Sequence, residues 1–270
     1  MKNCIIIILF INFALSLALY SSDLPTNFRE KRIDKGLNPV SLIFAPDGKL
    51  LVCEKNGIIK AYKNDTLLPK PFAILQVDNF NERGLFSIAF DPEYNDSNYV
   101  YIFYSSVFNK NLVSRFKVVG DTVDLTSEKI IFESEHFDDR SVHNGGSILF
   151  GLDGKLYVST GDQAYSYISQ EPTSLQGKIL RFNKDGSIPS DNPFFNSTIT
   201  GIKKEIYASG LRNPFKLKLN SNTGQIFVTD VGSWIFEEIN ELKPGANYGW
   251  PILEGVGQQS DEFTNPVFAY

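Results

Sequence analysis

Histidine, methionine and cysteine are nearly missing from this chain: 270 residues hold two histidines, one methionine and two cysteines. Cys4 lies in an amino-terminal apolar run, so once that run is removed only Cys53 remains. A lone thiol closes no internal disulfide and builds no cysteine metal site. Within Leu50-Leu51-Val52-Cys53 it is expected to act as a small buried hydrophobe. An excess of positive charge is also missing, with 26 basic residues against 31 acidic ones and a net charge of −5. Without a basic footprint, nucleic acid is excluded as a partner. Helical periodicity is absent too, since no window after the amino terminus sustains a 3.6-residue apolar repeat, so helices should be minor.

Long apolar runs are lacking with one exception, Ile5 to Leu19. At about 15 residues it is shorter than the ~20 a membrane-spanning helix needs. Lys2 precedes it and the small residues Ala18, Ser21 and Ser22 follow, the pattern of a secretory signal over residues 1–22. Its removal leaves no membrane span and gives an extracellular address. The Asn-x-Ser/Thr acceptor sequences at Asn64, Asn95 and Asn196 agree with a secreted glycoprotein.

What the chain does contain is strand and turn. Hydrophobic residues make up 42% and aromatics 13%, with 20 glycines and 13 prolines, which excludes a disordered chain and favours a turn-rich β protein. The stretches from Phe44, Phe150 and Leu219 share one order: an apolar start, a turn on Asp47-Gly48, Asp153-Gly154 or Thr223-Gly224, then an alternating run. A fourth copy from Ala89 has a longer turn. Asp47 and Asp153 lie 106 residues apart, room for two units of about 50. Such units are the mark of β-propeller blades. A β-sandwich with similar hairpins is the alternative, but it does not explain the repeated order. Residues 23–270 are therefore read as one all-β domain, a propeller of four blades and part of a fifth, and the length suggests an incomplete ring.

Four constellations can carry chemistry. His143, beside Gly145-Gly146, is a candidate general base, though taken alone it reads first as a loop residue bonded to its neighbours; His136, in an acidic stretch, is read as a surface residue. Asp162 follows His143 by one hairpin, and antiparallel pairing returns it to the same end, where a carboxylate would orient the imidazole. Arg212-Asn213-Pro214 sets a guanidinium beside an amide in a restrained stretch suited to a carboxylate-bearing or quinone ligand. The acids and glycines from Asp230 to Asn240 and from Gly245 to Trp250 have the oxygen chemistry of a Ca²⁺ site, or of a solvated acidic loop.

In order along the chain, the stretches LNPVSLIFAPDGKLLVCEKNGII, ERGLFSIAFDPEYN, HNGGSILFGLDGKLYVSTGD, SLQGKILRFNKDG, EIYASGLRNPF, GQIFVTDVG, FEEIN and NYGWP resemble one family. From Leu37 to Tyr270 the chain is similar to the soluble glucose/aldose dehydrogenases that use pyrroloquinoline quinone (PQQ), and to the related hedgehog-interacting-protein type of extracellular propeller. The resemblance implies a six-bladed propeller, PQQ on its top face, Ca²⁺, a sugar substrate oxidised at its anomeric carbon, and an electron acceptor. It implies that His143 is the base and Asp162 its partner, and that Arg212, Asn213 and Glu82 contact the cofactor. Gly232 and Ser233 would hold the quinone Ca²⁺, and Glu238 and Tyr248 a structural one. Two departures stand out: Leu211 replaces a histidine common in the family, and Asp230-Val231-Gly232 replaces Glu-His-Gly. The second is shared by enzymes and by the hedgehog-interacting type, so a non-catalytic module binding a protein or glycan stays open. The resemblance also implies further cofactor-facing cations beyond Tyr270.

Overall fold

The computed structural model describes residues 24–135, 140–257 and 262–270; the signal segment expected over 1–22, Cys4 and His136 lie outside the described residues. Chain contacts define two units, Met1–Leu37 and Asn38–Tyr270, and every strand lies in the second. Among the described residues no helix is long and apolar enough to cross a membrane.

The strands form four antiparallel sheets in chain order. Blade one holds β1 (Pro39–Phe44), β2 (Leu50–Glu54) and β3 (Ile58–Lys63), with the short β4 (Thr66–Leu67) and β5 (Ala73–Ile74) both pairing with β3. Blade two is β6 (Leu85–Phe90), β7 (Tyr99–Ser106), β8 (Lys110–Val119) and β9 (Thr122–Glu133). Blade three is β10 (Ile148–Phe150), β11 (Leu156–Thr160), β12 (Lys178–Phe182) and β13 (Ile206–Ala208). Blade four is β14 (Pro214–Leu219), β15 (Ile226–Asp230), β16 (Glu238–Glu241) and β17 (Phe268–Ala269).

The repeated sequence unit is the hairpin between the first two strands of each blade. Phe44 pairs with Leu50, Phe90 with Val100, Phe150 with Leu156 and Leu219 with Ile226. Gly48, Gly154 and Gly224 take the positive φ these tight turns demand, at 83°, 69° and 80°. In the second unit one helical turn, Tyr94–Ser97, forms the longer connection. Among the described residues the strands make four blades, and none belongs to a fifth. The chain after Trp250 instead returns Phe268–Ala269 to pair with β16 as the outer strand of blade four.

Between consecutive blades lies a dry core, and the two-residue strand period builds it. Val100, Ile102 and Tyr104 of β7 face blade one, joining Leu51, Cys53 and Ile59. Tyr101 and Phe103, one residue out of phase, face blade three and meet Leu156, Val158 and Leu180. Tyr157 and Ile179 turn the other way onto Leu217 and Val228 of blade four. A strand with both faces covered reads as a continuous apolar run, as Tyr99–Phe103 does. Cys53 is fully buried, and burial pushes its thiol up to about 12, in keeping with an inert hydrophobe. The first strands β1, β6, β10 and β14 share an axial cavity of about 560 Å³.

Phe103 is fully buried, with its ring centroid 5.2 Å from Phe86 and 6.4 Å from Phe132. Phe103→Ala is expected to lower unfolding stability by about 3–5 kcal/mol. Phe44→Ala, at a position 68% exposed, should change it by less than about 0.5 kcal/mol. Urea denaturation of both variants checks the contrast.

Candidate active site

In an antiparallel blade the start of the first strand and the end of the second lie at the same end of the sheet. Glu82, His143 and Arg212-Asn213 precede β6, β10 and β14, while Lys55, Asp162 and Val231 follow β2, β11 and β15. Topology therefore delivers all of these residues to one end of the propeller.

His143 sits at φ +52°, a left-handed conformation uncommon for a residue that carries a Cβ. Three contacts hold it there. Its N–H donates to Glu82 Oε2 at 2.7 Å, its carbonyl accepts from Gln163 N–H at 3.3 Å, and its Nδ1 lies 2.7 Å from Asp162 Oδ1. A carboxylate accepts only, so Nδ1 carries a proton, and in the neutral ring that assignment leaves the lone pair on Nε2. Gly161 is required beside it, because a Cβ there would fall 2.0 Å from the His143 carbonyl oxygen.

Asp162 is 1% exposed, and its two oxygens are fully engaged. Oδ1 also accepts from Ala164 N–H at 2.7 Å, and Oδ2 accepts from Trp250 Nε1 at 2.9 Å. Its own N–H donates to the Arg212 carbonyl at 2.8 Å, which places Arg212 on the same side of the molecule as His143. The Arg212 and Asn213 N–H groups donate to the Asp230 carboxylate at 2.9 and 2.6 Å. Burial pushes Asp230 up to about 8, opposed by those two bonds and reinforced by Glu238 and Asp162. The Arg212 guanidinium donates to the Val231 carbonyl at 3.0 Å and lies 5.6 Å from the Trp250 ring. Asn213 Oδ1 accepts from Gly145 N–H at 2.9 Å.

Beside these groups is a cavity of about 450 Å³ whose lining includes Lys55, Glu82, Asn144, Gly145, Asn213 and Lys216. Sites of this size hold small cofactors.

The remaining predicted residues lie in blade four and after it. Gly232 N–H donates to Glu237 Oε2 at 3.3 Å, and the Ser233 and Trp234 N–H groups both donate to Glu254 Oε1. Glu238 is buried; it accepts from Gly255 N–H at 2.6 Å and Asn240 Nδ2 at 3.1 Å, and burial raises its carboxyl above the ordinary range. Asn240 Oδ1 is buried without a hydrogen-bond partner among the described residues. Tyr248 is a core residue whose hydroxyl donates to the Glu241 carbonyl at 2.6 Å and accepts from Lys243 N–H at 3.1 Å, so it shares no partner with Glu238. Among the described residues no three His, Cys, Asp or Glu side chains gather as a metal cluster.

Sequence reasoning missed three supporting roles. Trp250 anchors Asp162 from 88 residues away, and Asp230 holds the Arg212 and Asn213 amides. The third is Lys178, fully buried, whose Nζ donates to the carbonyls of Ile168, Ser169 and Gln176 at 2.8–2.9 Å. It thereby fixes the 3₁₀ turn Ser166–Gln170, on which Ser169 Oγ donates to the Leu211 carbonyl and Gln170 Nε2 to the Trp250 carbonyl. No local pattern signals any of the three, since each partner is set by how the loops meet.

The family described as Glucose / Sorbosone dehydrogenase matches residues 37–268. Quinoprotein glucose dehydrogenase B of Acinetobacter calcoaceticus is 30% identical over 269 residues, covering 87% of this chain. The chain spans only 54% of that relative's length. A solved glucose dehydrogenase-type oxidoreductase of Thermus thermophilus is 32% identical with a TM-score of 0.82, covering 89% of this chain and 72% of that one. The PQQ-bound aldose sugar dehydrogenase of Streptomyces coelicolor is 31% identical with a TM-score of 0.75, covering 87% of this chain and 68% of that one.

Burial lowers Lys178 to about 7, against the pull of Glu171 and Glu135. Its folded value lies below the unfolded ~10.4, so the unfolded chain binds the extra proton and stability from this group rises with pH between the two values. Thermal melts of the wild type and Lys178→Met should therefore diverge in favour of the wild type as pH climbs from about 7 to about 10. Parallel melts over that range would mean the three carbonyls hold the ammonium charged in the folded chain as in the unfolded one.

Proposed function

The chain belongs to the glucose/sorbosone dehydrogenase family, and from that premise we propose that it is a secreted quinoprotein that oxidises aldose sugars with PQQ and Ca²⁺. The observation that carries this reading is the His143 Nδ1···Asp162 Oδ1 contact of 2.7 Å, which leaves Nε2 available as a base; His143 does not itself line the cofactor-sized cavity, but its chain neighbours Asn144 and Gly145 and its hydrogen-bond partner Glu82 do.

The residues present fit the cofactor. The cavity has Gly145 on its wall, so a flat ring can approach the backbone, and Asn213 lines it with an amide whose Nδ2 has no hydrogen-bond partner among the described residues. Arg212 and Asn213 would hold the quinone oxygens, where negative charge grows. PQQ, when bound, supplies the acceptor for the hydride of the sugar C–H bond. For Ca²⁺ the donors fit as hard oxygens: the Gly232 and Ser233 carbonyls with nearby Glu237 and Glu254, and, separately, Glu238 beside the orphaned Asn240 Oδ1.

His143 Nε2 accepts the proton of the anomeric hydroxyl. Asp162 Oδ1 stabilises the imidazolium that results and keeps the ring in one orientation. Trp250 and the Ala164 N–H hold Asp162 in turn, and Glu82 holds the backbone of His143 in its strained geometry. For secretion, the support is the signal-like amino terminus together with the exposure of Asn64, Asn95 and Asn196.

Loaded with PQQ and Ca²⁺, the protein is expected to reduce an artificial dye in a sugar-dependent manner. His143→Ala should lower that rate by about 10²–10⁴-fold while cofactor binding persists. Steady-state dye assays on both proteins check this. No sugar-dependent reduction, together with capture of a protein or glycan by the cofactor-free chain, would favour the binding-module reading.

A further inference from the structure

The floor of the cofactor cavity holds a cation to which the mechanism above gives no role. Lys216 on β14 lines both the 450 Å³ cavity and the 560 Å³ axial cavity, so it stands at the waist between them. Its side chain is partly exposed, and its ammonium makes one hydrogen bond, Nζ to the Val40 carbonyl at 2.9 Å. Two of its three N–H donors have no hydrogen-bond partner among the described residues; the Phe215 ring, centred 5.1 Å from Nζ, is a neutral neighbour that leaves the charge unmatched. The titratable side chain nearest in effect is Cys53, which burial keeps a neutral thiol. Desolvation without a counter-charge pushes the Lys216 ammonium below its ordinary value.

The rest of the lining has the same bias. Lys55 adds a second ammonium, bonded to the Asn79 carbonyl at 3.0 Å. Glu82 is the one carboxylate on the wall, and it is engaged by the His143 N–H. A half-enclosed space with two cations and one committed anion favours a ligand with carboxylates of its own.

We propose that Lys216, with Lys55 at the rim, anchors a carboxylate of the cofactor in this cavity. The inference rests on the PQQ reading and adds to it a cation from the innermost strand of blade four. Nothing in the repeat pattern marks Lys216, which follows Phe215 in an ordinary alternating strand.

The test is a titration without sugar, following quenching of Trp fluorescence or heat of binding. PQQ and its uncharged trimethyl ester are each added, with Ca²⁺, to the wild type, Lys216→Met and Lys216→Arg. Lys216→Met is expected to weaken PQQ binding by about tenfold or more, the scale of a lost hydrogen bond between charged groups, and to leave the ester nearly unaffected. Lys216→Arg should keep most of the affinity for PQQ. The unloaded Lys216→Met protein should melt no lower than the wild type, because a partly desolvated ammonium with no counter-charge has been removed. Equal PQQ affinity in the wild type and Lys216→Met overturns the anchor and leaves the cofactor reading standing, as does an equal loss for both ligands. If the wild type binds no PQQ, the cofactor reading fails and the anchor fails with it.

Discussion

A single buried carboxylate connects the separate parts of this molecule's candidate site. Asp162 takes three donors, from the His143 ring, the Ala164 amide and the Trp250 indole, while its own amide reaches the Arg212 carbonyl. Those partners come from the loops that open blades three and four and from the loop after β16. In a dry environment each such bond is stronger than in water, and each would be costly to leave unmade. The imidazole, the guanidinium-bearing loop and the indole therefore hold one mutual arrangement, and the blades beneath supply the rigidity.

The charges around that carboxylate follow a consistent rule. Acids at the site are engaged by amides or rings: Asp230 by Arg212 and Asn213, Glu82 by His143, Glu254 by Ser233 and Trp234. Cations facing the cavity are not matched by acids. Lys216 has a carbonyl partner and Lys55 another. A chain with a net charge of −5 thus presents a locally cationic cup, which bulk charge alone would not indicate. Lys178 differs from both, since its amino group is bonded to three carbonyls and holds the turn that reaches the Leu211 and Trp250 carbonyls.

Much of the architecture was legible in the residues because local rules generate it. The hairpins at Asp47-Gly48, Asp153-Gly154 and Thr223-Gly224 form where a positive φ is needed; the runs after the first two become second strands buried on both faces, and the run after the third, β15, is buried on one. The proximity of Asp162 to His143 also followed from one hairpin's geometry. The outer edge of blade four did not. Phe268–Ala269 is a strand of two residues that exists because β16 offers it an edge, and no propensity over so short a stretch could announce it.

By itself, then, the order of residues determined the strand units, the tight turns, the inert burial of Cys53 and the pairing of an imidazole with a carboxylate one hairpin away, because each depends on neighbours within a few tens of positions. Only the tertiary structure decided that Trp250 would support Asp162, that Asp230 would clasp the amides before β14, and that Lys216 would face a cavity without a counter-charge. These depend on loops from different blades converging at one end of the inner strands. Their distances are set by sheet packing, which no short window of sequence contains.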